Sequence, residues 1–207
     1  RVSGLASDNG NAILATGRRS MPPLVAGNHI PGVMDAHAAL SLATRGIMPG
    51  RAIAVLGTGA EQALAARLTS LGANIVHTGP VQDLRAIHGR RAVTAIETDR
   101  DVACDSVIHA GPWHADPSLP FQIAAEGHYQ LIAKALPPHV TLTGSAAEAD
   151  EPIHVPHSIA PDTLVCPCMD VTVGELLDLI DAGETDPEVL KRLTSCGMGP
   201  CQGFPCW

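Results

Sequence analysis

Aromatic residues, basic clusters and long apolar runs are all scarce in this chain, and each scarcity excludes a class of protein. Aromatic side chains make up 2% of the 207 residues, so alanine and the aliphatic residues must fill any core. The formal net charge is −8 and Lys and Arg form no stripe, which excludes a nucleic-acid partner because phosphate binding needs clustered positive charge. No apolar run approaches the roughly 18 residues that span a bilayer. The N-terminus has no signal-peptide pattern, so we expect a soluble, cytoplasmic protein without a membrane span.

The remaining composition is that of a globular protein. Hydrophobic residues make up 45% and charged residues 16% of the chain, and 207 residues are enough for one large domain or two small ones. The chain begins at Arg1, with no initiator Met, and this residue enters what reads as the middle of a domain. We therefore expect a fragment or a processed piece of a longer protein.

The six cysteines are distributed unevenly. Cys104 stands alone, and the other five crowd the C-terminal segment, at Cys166, Cys168, Cys196, Cys201 and Cys206. Without a secretory signal, such crowding indicates metal or redox chemistry before structural disulfides. The ten histidines are scattered, and a surface or linker position is the default expectation for each.

One segment predicts a strand, a tight loop and a helix in succession. The apolar run 52–56 predicts a buried strand, and Gly57 and Gly59 predict the loop. A helix is predicted over 60–71 and the next strand over 74–78. Further predicted elements are a buried strand in 11–17, a helix over 35–44, a hairpin of 92–98 with 102–104, and strands at 106–110 and 140–143. This order predicts an α/β fold class with a partial Rossmann-like module.

The C-terminal segment predicts a pair of helices. Thr172 and Glu175 have the spacing of a capping box, and Pro187 after Asp186 is typical of a first helical position. The apolar residues expected to form a small core are Leu176, Leu177, Ile180, Val189, Leu190 and Leu193. The predicted domains are an α/β domain over 1–148 with a Gly-x-Gly unit at 50–104, a Pro-rich linker over 149–161 and a small helical domain over 162–207.

The cysteines flank this helix pair, at Cys166-Pro-Cys168 on one side and between Cys201 and Cys206 on the other. Thiolates are soft ligands that suit either an iron–sulfur cluster or zinc. Zinc sites usually use cysteine pairs separated by two to four residues, so the one-residue gap of the first pair favours iron–sulfur. A zinc site and, less so, two disulfides stay open as alternatives.

The C-terminal motif resembles a known family. Cys166-Pro-Cys-Met-Asp-Val-Thr-Val-Gly-Glu-Leu176, with Gly197-Met-Gly-Pro-Cys-Gln-Gly203 and Cys206, is similar to the bacterioferritin-associated-ferredoxin-like [2Fe–2S] domain. The similarity is greatest to the version in FAD-dependent opine, proline and hydroxyproline dehydrogenase subunits and in hydrogen cyanide synthase. It implies four cluster ligands, which are Cys166, Cys168, Cys201 and Cys206. Cys196 is then a spare buried thiol.

The same resemblance implies nucleotide sites in the α/β part. Ile13 to Gly17 resembles the Ala-Thr-Gly segment of the disulfide-reductase-like FAD/NAD(P) module, which implies that Thr16 and Gly17 lie near a flavin nucleotide. Gly144 is followed by Ser145 where that module usually has an Asp, and the helix expected after it is missing. The family's N-terminal phosphate-binding loop is also absent, so FAD is expected in the complete protein more than in this chain alone.

Gly57 and Gly59 follow a strand and open a helix, which is the context of a dinucleotide fingerprint. Gln62 stands where a third small residue is usual, and no acid follows the second strand, which ends at His77. NAD(P), another nucleotide, or a retained fold element without a ligand all stay open at this loop.

Together these features predict an electron-transferring subunit of an FAD-dependent dehydrogenase or oxidase. The expected substrate is a small molecule with an amino-acid or opine-type C–N bond, and the expected partner is a catalytic flavoprotein subunit in a hetero-oligomer. The pattern identifies no catalytic residue in this chain. The alternatives are a non-catalytic ferredoxin-like electron-transfer or docking module and a zinc-stapled interaction domain.

Overall fold

The computed structural model describes residues 5–8, 11–116, 136–156, 158–201, 203 and 206. Their strands are β1 (Leu5–Asp8), β2 (Asn11–Leu14), β3 (Arg18–Ser20), β4 (Val33–Asp35), β5 (Ile53–Gly57), β6 (Ile75–Pro80), β7 (Ala86–Gly89), β8 (Val93–Glu97), β9 (Asp101–Ala103), β10 (Ser106–Ala110), β11 (Trp113–Ala115), β12 (Val140–Leu142), β13 (Leu164–Cys166) and β14 (Val171–Thr172). The α-helices are α1 (Ala36–Ala43), α2 (Glu61–Ser70), α3 (Val173–Asp181) and α4 (Pro187–Thr194), and 3₁₀ turns span Val81–Asp83 and Gly144–Ala147. Of the described helices, none combines the length and apolar character that a membrane crossing requires.

A parallel sheet of order β4-β10-β5-β6 forms the centre of the α/β part. Successive side chains along β5 point to opposite faces of the sheet, and both faces are buried. Ile53 and Val55 pack against α1 and α2, whereas Ala54 and Leu56 pack against the antiparallel sheet β7-β8-β9. The core therefore lies in two layers around the parallel sheet, and the predicted mixed α/β class is confirmed.

The strand–loop–helix prediction is confirmed in the residues around Gly57. The predicted strand, helix and following strand correspond to β5, α2 and β6, and the predicted hairpin corresponds to β8 and β9. Helix α1 begins where expected because Asp35 caps it, accepting hydrogen bonds from the backbone N–H of His37 at 2.8 Å and of Ala38 at 3.0 Å.

Three local features differ from the sequence predictions. Strand β2 was expected to be buried, but Ile13 is 45% exposed, because the face of β2 that carries Asn11 and Ile13 is open to solvent. Strand β7 was not predicted; its buried Ile87 stands between Ala86 and His88, and four residues are too few to establish a period. The chain after Gly144 forms a single 3₁₀ turn where no helix was expected.

After a small hairpin, β13-β14, which was not predicted, the C-terminal residues form the predicted pair of helices, α3 and α4. The expected core between the helices is wrong in part. Leu177, Ile180 and Leu193 are 44%, 41% and 61% exposed, and neither helix buries a residue completely. The buried centre of this unit is instead Cys166, Val171 and Cys196.

The segment predicted as a linker contains no helix or strand among its described residues, yet it is tied to the α/β part. Glu151 accepts hydrogen bonds from the Thr58 hydroxyl and the Trp113 N–H, at 2.5 and 3.0 Å. Further along, the buried Asn28 amide donates to the carbonyl of Leu164 and accepts from its N–H, both at 2.9 Å. These contacts hold the C-terminal unit, which consists of β13, β14, α3, α4 and the clustered cysteines, against the α/β part.

Candidate functional site

The cysteines approach one another at the open end of the C-terminal helix pair. Strand β13 carries Cys166 at its end, and the turn that follows carries Cys168. On the other side, α4 ends at Ser195, which takes the left-handed conformation at φ +63° and turns the chain back toward the hairpin. That turn places Cys196 next to Cys166, so a helix end and a strand end supply facing thiols.

Five sulfur atoms lie in two groups at this place. The Sγ atoms of Cys166, Cys196 and Cys206 all lie within 4.8 Å of one another. The Cys201 and Cys168 side chains hydrogen-bond to each other. The structure therefore brings together the four cysteines predicted as ligands, and it adds Cys196, which the sequence analysis treated as spare. All six cysteines of the chain are free thiols.

Two glycines lie against the cysteines. The Gly197 N–H donates a hydrogen bond of 3.5 Å to the Sγ of Cys166, the type of contact that stabilises a thiolate. A Cβ at Gly199 would collide with the Cβ of Cys168, so the backbone approaches this cysteine as closely as glycine alone permits. Both contacts fit a site that gathers several thiolates.

Burial and mutual hydrogen bonding set the proton affinity of these thiols. Burial raises the pKa of Cys166, and it raises the pKa of Cys201 to about 12. The Cys206 thiol donates a hydrogen bond to Cys196, which lowers the pKa of Cys196 and raises that of Cys206. Burial has the same effect on Cys104 in the α/β core, where the pKa rises to about 11, so the raised values reflect desolvation of the thiols.

A cavity of about 820 Å³ separates the cysteine unit from the parallel sheet. Cys168 and Cys201 line one side of it, and Ser20, Asp35 and His109 line the other. The sulfur pair that faces this cavity is therefore the one outside the group of Cys166, Cys196 and Cys206. A molecule in the cavity would contact both the sheet ends and these two sulfur atoms.

His109 is a functional candidate that the sequence analysis missed, since it was expected at the surface. It lies in β10 with 6% of its area exposed, and its Nδ1 is 2.7 Å from the Ser20 hydroxyl. Burial lowers the pKa of His109 to about 4, although the Asp35 carboxylate opposes this shift. The ring is therefore neutral near pH 7. The available signal in the sequence was the mostly apolar strand Ser106-Val-Ile-His-Ala110, all of which is buried.

A second cavity, of about 470 Å³, contains the residues predicted to lie near a flavin nucleotide. Thr16, Gly17 and Ser145 line it, so the Ala-Thr-Gly segment and the residue after Gly144 meet there. His37 and Trp113 also line it, with ring centroids 5.1 Å apart in an edge-to-face arrangement. The sequence analysis missed both rings. The cavity offers a polar backbone edge and an aromatic wall to a ligand.

The Gly-x-Gly loop is arranged differently from an open phosphate site. The Gly59 N–H donates to the Glu61 carboxylate at 2.7 Å, and the Thr58 hydroxyl donates to the Glu151 carboxylate at 2.5 Å. A Cβ at Gly57 would lie 2.8 Å from Glu61 Oε2, so this glycine serves the packing of the loop. Carboxylates of the chain itself occupy the donors that a phosphate would use at a helix N-terminus.

Comparison with known proteins gives short matches in sequence and a broad match in structure. No protein-family model matches the chain. An opine oxidase subunit from Agrobacterium tumefaciens (strain Ach5) is 47% identical over 47 residues, which are 23% of this chain and 9% of the relative. The corresponding opine oxidase subunit from Rhizobium meliloti (strain 1021) is 45% identical over 47 residues, which are 23% of this chain and 10% of that relative.

Among solved structures, L-proline dehydrogenase from P. horikoshii is similar with a TM-score of 0.70 at 22% identity. The similarity covers 94% of this chain and 50% of that chain, so this chain spans about half the length of the dehydrogenase. At this identity the likeness establishes a shared fold.

Proposed function

We propose that this chain is the electron-transferring part of an FAD-dependent oxidoreductase that acts on an amino-acid or opine-type C–N bond. Cys166, Cys168, Cys201 and Cys206 would hold a [2Fe–2S] cluster in it. The proposed setting is a cytoplasmic hetero-oligomer, in which a catalytic flavoprotein subunit oxidises the small-molecule substrate. The names of the similar proteins, opine oxidase subunits and L-proline dehydrogenase, support this class of reaction.

The convergence of the cysteines is the observation that carries the proposal. Cys166 and Cys206 have sulfur atoms within 4.8 Å, and Cys168 and Cys201 form a second contacting pair. Two pairs of thiols are the donor set that a four-thiolate [2Fe–2S] cluster requires. The N–H of Gly197 and the absence of a side chain at Gly199 fit the negative charge and the close approach of such a cluster.

FAD fits the smaller cavity in chemistry. Thr16, Gly17 and Ser145 offer hydroxyl and backbone groups there, and Trp113 and His37 offer flat surfaces. A flavin accepts two electrons at once, and an iron–sulfur cluster passes electrons singly. The residues of this chain would bind and orient these groups and exclude water from them. The occupied donors at Gly59 and Thr58 argue that the Gly57–Gly59 loop needs no NAD(P) for this role.

The exposed apolar side chains of the C-terminal unit support a protein partner. Leu177, Ile180 and Leu193 project from α3 and α4, and Met169 and Met198 are 41% and 52% exposed beside the cysteines. Apolar groups crowded in this way are typical of interaction surfaces. The partner subunit that we propose would cover these side chains and shorten the path to the cluster.

Analysis of the purified chain tests the proposal. We expect iron and acid-labile sulfide at about two of each per chain, with broad visible absorption that dithionite partly bleaches. Flavin released by acid should be assayed in parallel, in the chain alone and after co-purification with its partner subunit. A colourless protein that contains zinc would contradict the proposal and support the zinc-stapled alternative. Iron without flavin in either preparation would support the ferredoxin-like alternative.

A further inference from the structure

Cys196 lies inside the cysteine group, although the proposed ligand set leaves it out. It is 8% exposed, and its Sγ lies within 4.8 Å of the Sγ atoms of both Cys166 and Cys206. Its backbone is anchored, because its N–H donates to the Thr194 hydroxyl at 3.2 Å and it directly follows the end of α4. A buried thiol held at this distance from two ligand sulfurs is placed to bind the same metal ion.

The group of Cys166, Cys196 and Cys206 has one thiol more than a single iron of the cluster can take. A metal–sulfur bond of ~2.3 Å with tetrahedral angles places two ligand sulfurs about 3.8 Å apart. Each iron of a [2Fe–2S] cluster takes two protein thiolates, and the Cys168–Cys201 contact supplies one such pair. The second iron then has three candidate thiols, Cys166, Cys196 and Cys206, for two positions.

We propose that Cys196 is an alternative cluster ligand that shares one coordination position with Cys206. This inference rests on the proposed [2Fe–2S] function. The exchange changes no oxidation state, because one iron–sulfur bond forms as another breaks. The Cys196 thiol gives up its proton on binding iron, and the released Cys206 thiolate takes up a proton.

The surroundings of the two thiols differ in a way that fits such an exchange. Cys206 has an alternative acceptor for its thiol outside the metal site, since its Sγ lies 3.4 Å from the Gly203 carbonyl, to which it can donate instead of to Cys196. Beside Cys168 and Cys201, the proposed ligands of the other iron, no third thiol lies within the part of the chain that the structure describes. Cys104, the sixth cysteine, packs in the core formed with the β7-β8-β9 sheet. We therefore expect loss of Cys168 or Cys201 to be fatal to the cluster, whereas loss of Cys206 is tolerated.

Serine substitutions in the full chain test the proposal, with iron, acid-labile sulfide and the EPR spectrum of the reduced protein as readouts. Cys206→Ser should retain at least half of the wild-type iron and sulfide, with a shifted EPR signal. Cys196→Ser should keep its cluster through Cys206. The double variant, and the matched control Cys201→Ser, should each retain less than a tenth. Far-UV circular dichroism checks that every variant folds.

A second variant removes Cys206 without placing a hydroxyl among the sulfurs. A chain that ends at Gly203 should also keep at least half of its iron, and adding Cys196→Ser should remove it. Cluster loss as complete in folded Cys206→Ser, or in the shortened chain, as in Cys201→Ser would overturn the role of Cys196. A wild-type chain without iron and sulfide would instead overturn the proposed function itself, so the two failures are distinguishable.

Discussion

A neutral histidine is buried between the central sheet and the large cavity. His109 receives no carboxylate partner at hydrogen-bond distance among the described residues; its Nδ1 contacts the Ser20 hydroxyl, which accepts a hydrogen bond from the Gly111 N–H at 2.8 Å. Protonation would place a positive charge in a desolvated position, which is why the pKa falls to about 4. The ring can donate or accept a hydrogen bond toward a ligand near pH 7, but it carries no charge there.

The lowered pKa of His109 predicts that acid weakens the fold. Between pH 6.5 and about 4 the unfolded chain binds a proton at this residue that the folded protein excludes, so stability falls as pH falls. The contribution is about 2 kcal/mol between pH 7 and pH 5. Urea unfolding of wild type and His109→Gln at both pH values should show this difference, with the exposed His88→Gln as control. Equal pH dependence in wild type and His109→Gln would contradict the assignment.

The Gly-x-Gly loop illustrates a different effect of single residues. Glu61 and Glu151 place two carboxylates against the donors at the start of α2, where a dinucleotide would place its pyrophosphate. A phosphate must displace both and overcome their like charge. The acids of the chain itself therefore occupy the loop that the sequence predicts as a nucleotide site.

Neutralising these acids should restore nucleotide binding. We expect Glu61→Gln combined with Glu151→Gln to bind NAD at least tenfold more tightly than wild type, a change of about 1.4 kcal/mol. Isothermal titration calorimetry measures it, and Glu97→Gln, at a half-buried acid on β8 away from the loop, is the matched control. If the double variant and wild type bind NAD with equal affinity, the carboxylates do not block the site.

At the scale of elements, a capping box fixes the start of α3. The Thr172 hydroxyl accepts from the Glu175 N–H at 3.3 Å, and the Glu175 carboxylate accepts from the Thr172 N–H at 2.8 Å. Thr172→Ala should destabilise the C-terminal unit by about 1 kcal/mol. Thermal denaturation, monitored by hydrogen exchange of the amides in 173–181, measures this loss. The exposed Thr185→Ala, in the turn between the helices, should change little, and an equal effect of both substitutions would argue against the cap.

The sequence predicted those elements that local chemistry determines. The β5 apolar run, the glycines after it and the Thr172 capping box each lie within a few residues, and each formed as expected. What covers an amphipathic helix is not local, so the pattern of α3 predicted a core for Leu177 that the structure leaves exposed.

Contacts between distant residues were beyond the reach of pattern analysis for the same reason. Glu151 meets Thr58 across 93 positions of the chain, and nothing near the Gly-x-Gly loop announces that acid. The position of Cys196 depends on how α4 returns to β13, so spacing alone could not distinguish a spare thiol from a ligand. The cysteine motif predicted that thiols gather at this end of the molecule, and tertiary packing places Cys196 among them.

The molecule joins two units that differ in the size of their buried cores. The α/β part buries complete strands on both faces of its sheet, whereas the C-terminal unit has three buried residues in its centre and two of them are cysteines. Asn28 ties the units together through the backbone of Leu164. The proposed cluster would contribute directly to the folding free energy of this unit, because its own apolar core is small.

Removal of iron should therefore unfold one unit and leave the other intact. After chelation under reducing conditions, amides in 173–194 should lose at least tenfold in hydrogen-exchange protection, because α3 and α4 bury no residue completely and the thiols would no longer be joined through a shared metal centre. The amides of β5 and α2 provide the internal control, since their core contains no cysteine ligand. Mass spectrometry of the same sample before and after chelation makes the comparison. Unchanged protection in 173–194 after complete loss of iron would mean that packing against the α/β part, through Asn28 and its neighbours, is sufficient to hold the helices.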